Sequence, residues 1–272
     1  MKSYSHIISK LFYEPLLVTP MRHAAMLKTL ELRLGSQRLD MPDEPEPTQN
    51  DDEDQVKIQG STVIIPVHGT LVKHNSDIGF SECGCSMEDL CAAIETAESD
   101  PRIDTVIYDF RSPGGTVTGV PEAGRKILHS RKNTIAFTDS ECCSGAIWLA
   151  AQCGRFFCTG SSRVGSVGVY TMVLDLTKAM EEEGIKVEAI FAAKYKLLGA
   201  SFRPLADDER EILQRGVDKI YDQFKSVMES HRVVEDKNFG NGLVFDGQEA
   251  VEIGFCDGVV EDLGEVFDMI ED

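Results

Sequence analysis

From Lys57 onward, short apolar runs that suit β-strands alternate with segments of helical periodicity. Residues 63–67, 105–110 and Asn133–Thr138 are the clearest strand-like runs, and Val120–Leu128 has helical spacing. Ser86 stands at the N-cap position of a further helix. Strands that alternate with helices are joined by right-handed crossovers, which place them in a mainly parallel sheet. The sequence therefore predicts an α/β fold built from βαβ units.

Hydrophobic periodicity also predicts the remaining long helices and strands. Apolar residues at helical spacing predict a helix over 21–34, and an apolar run after Ser144 predicts another. Alternating or apolar runs predict strands at 155–159 and 186–191. A helix is expected over 175–183 and a long one over 206–233, where three acidic residues suit its N-terminal end.

A proline-rich and acidic segment divides the chain. Residues 41–54 contain three prolines and seven acidic side chains, a composition that cannot bury a core. We therefore expect an N-terminal extension with an amphipathic helix at 1–40 and a disordered linker at 41–56. The main domain is expected at 57–262, with an acidic tail at 263–272.

The charge balance excludes two classes of partner. The chain has 46 acidic and 27 basic side chains, which gives a net charge of −19. Such a body repels nucleic-acid backbones and anionic membrane surfaces. No segment approaches the ~20 apolar residues that span a bilayer, and the N-terminus lacks the apolar core of a signal peptide. We expect no nucleic-acid partner and no membrane anchor.

The eight cysteines do not indicate a disulfide framework. The chain is large enough to build a core without one, so reduced and mostly buried thiols are expected. Cys83 and Cys85 lie two residues apart, but no second pair completes the spacing of a zinc site. The sequence therefore predicts no metal centre.

A glycine pair follows the strand at 105–110, in Ser112-Pro-Gly-Gly115. Ligands of α/β folds gather at the carboxyl ends of strands, and glycines there let backbone N–H groups face an anion or an oxyanion. A tight strand-to-helix turn is the alternative explanation.

Ser144 lies between a strand and an apolar helix. A serine at that junction is most often an N-cap, and the alternative is a nucleophile. The histidines offer no clear base. His68 is the one histidine at a strand end, where a solvated turn residue is the simpler interpretation.

Lysines interrupt an apolar stretch at 191–199. A lysine drawn into an apolar pocket loses its proton more readily and can act as a general base. Lys194 and Lys196 share a face if the segment is extended, so periodicity does not choose between them. Surface lysines beside a loop are the alternative.

Four motifs, in order, resemble those of the signal peptide peptidase A family of serine peptidases. They span much of residues 57–262 and are Ser112-Pro-Gly-Gly115, Cys143-Ser-Gly-Ala146, Val164-Gly-Ser-Val-Gly-Val169 and Tyr195-Lys196. The resemblance implies the Clp-protease and crotonase-like fold. It also implies a homo-oligomer and a reaction without metal or organic cofactor.

The resemblance also implies site roles. Ser144 matches the nucleophile and Lys196 the general base of a Ser-Lys dyad, and Ser166 matches a serine that orients the lysine. The oxyanion hole corresponds to Gly114 or Gly115, of which we favour Gly115, together with the amide of Gly145.

Within that family the chain resembles the bacteriophage branch of head maturation proteases. Tyr13-Glu-Pro-Leu-Leu17, Val67-His-Gly-Thr-Leu-Val72 and Gly199-Ala-Ser-Phe-Arg-Pro-Leu205 carry this likeness. It implies cleavage of phage scaffold, portal or capsid-associated proteins, and of the chain itself, in the host cytoplasm. The alternatives are a cytoplasmic bacterial peptidase of general role, a non-catalytic assembly factor, and a crotonase-type thioester enzyme.

Overall fold

The computed structural model describes residue 12 and residues 14–34, 55–74, 84–234 and 239–271. The strands in these ranges are β1 (Leu16–Val18), β2 (Lys57–Gln59), β3 (Thr62–His68), β4 (Thr70–Val72), β5 (Gly84–Ser86), β6 (Thr105–Arg111), β7 (Gly114–Thr116), β8 (Asn133–Thr138), β9 (Glu141–Cys143), β10 (Arg155–Cys158), β11 (Arg163–Gly165), β12 (Val244–Asp246) and β13 (Gly258–Val259). The helices are α1 (Pro20–Leu34), α2 (Met87–Ser99), α3 (Val120–Leu128), α4 (Gly145–Ala150), α5 (Thr177–Glu182), α6 (Asp207–His231), α7 (Gly247–Glu252) and α8 (Leu263–Glu271).

A six-stranded sheet forms the centre of the described chain, in the order β13-β10-β8-β6-β3-β2. Its strands pair in parallel, except that β2 pairs antiparallel with β3. The first six residues of β6 are all buried, as expected of a strand covered on both faces. The predicted α/β class with a mainly parallel sheet is confirmed.

Two smaller sheets extend from the carboxyl edge of the central sheet. One has the order β1-β7-β4-β5, in which β1 runs antiparallel to β7 and the other pairs are parallel. The other has the order β12-β11-β9, with β9 and β11 parallel. Both sheets reach the glycine pair or the Ser144 turn, so together they determine where those residues lie.

Helix α4 is apolar on every side and all six of its residues are buried. It packs against the long helix α6, where the rings of Trp148 and Phe224 lie 4.8 Å apart. Arg232 follows α6, and its buried guanidinium donates to the carbonyls of Ala151 and Cys153 and to Asp257. The residues just after α4 are therefore fixed by both packing and a charged hydrogen-bond network.

Most of the long predicted elements are present, but the strand predicted at 186–191 is wrong. These residues form neither strand nor helix, and the Ile190 side chain is 96% exposed. Alternation of polar and apolar residues favours a strand only where a neighbouring strand and a core are available. The described chain provides neither next to this segment.

The ends of the described chain join the main body. The three residues of β1 are all buried, and Leu17 belongs to the main hydrophobic core. Val266 of α8 is buried against the central sheet, within the segment expected to be an acidic tail. Residues 41–54 of the linker expected at 41–56 lie outside the described residues. None of the described helices combines the length and the apolar character needed to cross a membrane.

The described cysteines are free thiols, as expected. Five are buried and two, Cys85 and Cys91, are partly buried. Burial raises the pKa of the Cys143 thiol to about 12, so this neighbour of Ser144 stays protonated at neutral pH.

Strand β7 approaches its neighbours too closely for any side chain at its glycines. A Cβ on Gly115 would lie 1.9 Å from the Leu71 carbonyl oxygen of β4. A Cβ on Gly114, whose φ is +93°, would lie 2.0 Å from the Leu17 carbonyl oxygen of β1. These contacts involve backbone on both sides, so a larger residue can be accommodated only if the strands separate.

We therefore predict that Gly115→Ala lowers the free energy of unfolding by about 3 kcal/mol or more, because overpacking against rigid backbone is costly. Gly216→Ala is the matched control, since its Cβ would meet nothing within 4 Å on α6. The control should raise stability by up to about 1 kcal/mol. Urea unfolding followed by circular dichroism measures both, and equal effects of the two substitutions would contradict the close approach.

Candidate active site

Ser144 lies in a strained turn between β9 and α4. Its φ is 55° and its ψ is −116°, a conformation that non-glycine residues rarely adopt. Its backbone N–H donates to the Gly165 carbonyl oxygen at 2.8 Å, and its side chain makes no capping bond to α4. The N-cap interpretation of Ser144 is therefore wrong for its hydroxyl. Strain of this kind, on a sharp strand-to-helix turn, is typical of residues whose side chain is aimed at a reacting centre.

Ser166 lies next to Ser144 because β9 and β11 are paired in parallel. Cys143 is opposite Gly165 in this pairing, so the two serines follow directly at the ends of adjacent strands. Ser166 also has a positive φ, 57°, and its N–H donates to the Leu243 carbonyl oxygen at 2.6 Å. The two serines are 1% and 6% exposed. The structure thus brings together two of the three predicted catalytic residues, Ser144 and Ser166.

The glycine pair lies against the same turn. A Cβ on Gly114 would lie 2.9 Å from both the Gly145 backbone nitrogen and the Ser144 Cβ. The Gly114 N–H donates to the Ser112 Oγ at 3.2 Å, so it is already occupied. Gly145 is the first residue of α4, and amides in the first turn of a helix have no acceptor within that helix. Ser112 is a functional candidate that the sequence motif contained but that the sequence analysis did not single out.

Lys196 is not brought into this group. It lies on an exposed turn after Ala193, and within the described residues its side chain makes no hydrogen bond or ion pair. Lys194 differs: its Nζ lies 2.6 Å from Asp208 Oδ2 and over the Tyr195 ring. The hydrogen bond to Asp208, aided by Tyr195, raises the pKa of Lys194. Lys194 is therefore held in its charged form and is unsuited to accept a proton.

His68 is not the solvated turn residue that the sequence suggested. Its side chain is 11% exposed, and its Nε2 lies 3.1 Å from Asp109 Oδ2 on the neighbouring strand β6. Arg111 lies 3.5 Å from the same carboxylate oxygen. The aspartate thus holds His68 at the end of β3, just before the Gly69 turn that leads into β4.

A cleft of about 380 Å³ opens beside Ser166. Its lining includes Val18, Gly168 and Tyr170 on one side and Asp218 and Tyr221 of α6 on the other. Tyr170 faces β1, and burial raises the pKa of its hydroxyl to about 12. The cleft provides space next to Ser166, where a polypeptide side chain or backbone could enter.

Several proteins are similar to this chain. The head-tail preconnector protein GP5 of Enterobacteria phage P21 is 26% identical over an alignment 278 residues long, which covers 95% of this chain and 56% of that protein. The capsid assembly protease C of Escherichia phage lambda is 28% identical over 211 residues, or 75% of this chain and 47% of that protein. The chain thus spans about half the length of these two relatives.

A bacterial protein, a solved structure and a family model are also similar to this chain. A putative signal peptide peptidase SppA of Enterococcus faecium is 22% identical over 204 residues, covering 72% of this chain and 59% of that protein. A crystal structure of an enoyl-CoA hydratase/isomerase family member has 14% sequence identity and a TM-score of 0.42, over 76% of this chain and 68% of that one. The model of peptidase family S49 matches residues 126–267, a stretch that contains Ser144, Ser166 and Lys196. The chain belongs to peptidase family S49.

Proposed function

We propose that the chain is a serine endopeptidase that uses Ser144 as nucleophile and Lys196 as general base. The observation that carries the proposal is the strained Ser144 turn, which lies against Gly114 and the Gly145 amide. A nucleophilic hydroxyl beside backbone N–H groups is the arrangement that acyl transfer requires. Family membership and the phage relatives support the same reaction class.

The proposed reaction needs only groups of this chain and water. The neutral amine of Lys196 takes the Ser144 proton while the serine oxygen attacks the peptide carbonyl carbon. The N–H group of Gly145 and one N–H group of the glycine pair, for which we favour Gly115, donate to the resulting oxyanion. The lysine ammonium then protonates the leaving amine, and water hydrolyses the acyl-enzyme. Ser166, beside Ser144, orients the lysine amine.

We propose phage scaffold, portal or capsid-associated proteins as substrates, processed during head assembly in the host cytoplasm. This step rests on the two phage relatives, a head-tail preconnector protein and a capsid assembly protease. The non-catalytic assembly factor remains the alternative from another class, and turnover by the purified protein separates the two.

The proposal also includes a homo-oligomer in which Lys196 completes the site of a neighbouring copy. Lys196 follows a segment, residues 185–195, in which five large apolar side chains are at least 42% exposed; they are Ile185, Val187, Ile190, Phe191 and Tyr195. Exposed apolar side chains at this density favour a protein partner. Since this segment leads directly to Lys196, its docking on a second copy would carry the lysine into a site that is buried and preformed around Ser144.

We predict that Ser144→Ala and Lys196→Ala each reduce peptide cleavage by about a thousandfold or more, whereas Lys194→Ala changes it by less than about threefold. Wild-type activity should rise with pH, because only the neutral lysine can accept the serine proton. Cleavage of a casein or co-expressed scaffold substrate, followed by intact-mass spectrometry between pH 6 and 10, measures each point. Loss of activity in Lys194→Ala with retention in Lys196→Ala would reverse the assignment.

We further predict that mixing the Ser144→Ala and Lys196→Ala proteins restores cleavage. In a mixed assembly, some sites receive an intact serine from one copy and an intact lysine from the other. Mixing each variant with itself is the control. If the mixture stays inactive although sedimentation shows that it assembles, Lys196 acts within its own chain.

A further inference from the structure

The N-terminal strand β1 lies where an extended peptide would have to lie to meet Ser144. On one side it pairs antiparallel with the glycine strand β7, with Leu17 opposite Gly115 and Val18 opposite Gly114. On the other side Leu16 exchanges two backbone hydrogen bonds with Tyr170, of 2.8 and 3.4 Å. β1 is thus inserted between two segments that both belong to the site.

The carbonyl group of Leu17 faces the glycine strand β7, beside the Ser144 turn. In a strand, the N–H and C=O groups of successive residues face opposite sides. Because those of Leu16 face Tyr170, the N–H and C=O groups of Leu17 face β7. A Cβ built on Gly114 would lie 2.0 Å from the Leu17 oxygen and 2.9 Å from both the Gly145 nitrogen and the Ser144 Cβ. The Leu17 carbonyl oxygen therefore lies in contact with Gly114, close to the Ser144 turn and to the Gly145 nitrogen.

We infer that β1 is an internal occupant of the substrate groove and must leave before a peptide can bind. The inference rests on the proposed function, in which Ser144 is the nucleophile. Peptides commonly bind by adding a strand to an exposed sheet edge. Once β1 leaves, β7 presents such an edge beside Ser144. The chain in this conformation is autoinhibited, which agrees with the 1% exposure of Ser144.

The contacts around β1 also define the kind of peptide that can replace it. A Cβ on Gly145 would lie 3.4 Å from the Leu17 Cβ and 3.2 Å from Leu71 Cδ1, so the Leu17 side chain enters an apolar space between α4 and β4. All three β1 residues are at most 3% exposed. The groove therefore accepts an extended peptide with an aliphatic residue at the position of Leu17.

Polar contacts hold the strand without a covalent link. The Thr19 N–H donates to the Pro113 carbonyl oxygen at 3.1 Å, next to the glycine pair. At the start of α1, His23 Nδ1 lies 2.7 Å from the Tyr170 hydroxyl. These few bonds, together with the burial of three side chains, can be exchanged for equivalent contacts from a substrate strand.

The first test uses peptide binding, which needs no catalysis. A fluorescein-labelled peptide with the sequence of residues 13–19 is titrated into the full chain carrying Ser144→Ala, alone or with Leu17→Asp. A carboxylate at the buried Leu17 position expels β1, because an unpaired charge is costly in an apolar space. We expect the Leu17→Asp protein to bind the peptide about tenfold more tightly or better, because the groove is open in a larger fraction of molecules.

Met21→Asp is the matched control, because Met21 is 65% exposed on α1 and outside the groove. It should leave peptide affinity at the value of the Ser144→Ala protein. Equal affinity in the Leu17→Asp and Met21→Asp proteins would overturn the inference. Because these proteins all lack the serine nucleophile, this result is independent of whether the wild type is a peptidase.

A covalent lock provides the second test and covers the case in which Leu17→Asp does not fold. Leu16 and Thr116 are directly opposite each other. They form a non-hydrogen-bonded pair, whose Cα separation of about 4.5 Å suits a disulfide. In the Leu16→Cys/Thr116→Cys protein, oxidation should abolish peptide cleavage and reduction should restore it, whereas Thr116→Cys alone should show no such reversal. Full activity in the oxidised protein would mean that β1 is a permanent strand and would overturn the inference.

Discussion

The arrangement of the site depends on how closely the backbone of β7 approaches the strands on either side. Gly115 lies against the Leu71 carbonyl and Gly114 against the Leu17 carbonyl, at distances that leave no room for a Cβ. This approach sets β7 beside the Ser144 turn and brings its amide groups toward the start of α4. It also gives β1 its place, since an antiparallel neighbour of β7 must meet the same glycines. The positions of the proposed nucleophile, oxyanion donors and groove thus all depend on one pair of residues without side chains.

The positions of the two serines depend on a second feature, the parallel pairing of β9 and β11. Both strands end at residues with positive φ, Ser144 and Ser166. The backbone amide of each is tied to a carbonyl of a neighbouring segment, so both strained turns are held from outside. Holding a residue in such a strained backbone conformation costs free energy. This strain is typically retained where a side chain must be oriented precisely.

The sequence predicted the elements whose signals are local. Strand β6 and helix α3 were found because buried runs and helical spacing are visible within ten residues. Strands β1, β9 and β11 were missed because each has three residues and is stabilised by partners distant in the chain. The segment 186–191 has the alternation of a strand but lacks a neighbouring strand in the described chain. The motif Tyr13-Glu-Pro-Leu-Leu17 carries a resemblance to phage relatives, but only the fold shows that its last two residues lie in a strand beside the Ser144 turn.

Local sequence signals also fail to distinguish the two lysines. Spacing could not separate Lys194 from Lys196, whereas the ion pair with Asp208 gives Lys194 a structural role and a raised pKa. Lys196 has no such partner in the part of the chain described, and it follows the exposed apolar segment 185–195. A single folded chain therefore holds the serines and the glycine pair together, and in the proposed mechanism the base comes from the same segment of a second copy.

The central claim is that Ser144 is a nucleophile activated by Lys196, and covalent labelling tests it most directly. The full chain is incubated with a fluorophosphonate, and the modified peptide is identified by mass spectrometry after digestion. The account predicts a single phosphonylated residue, Ser144, in the wild type and at least about a hundredfold slower labelling in Lys196→Ala. Labelling of another serine, or equal labelling rates in the two proteins, would contradict it.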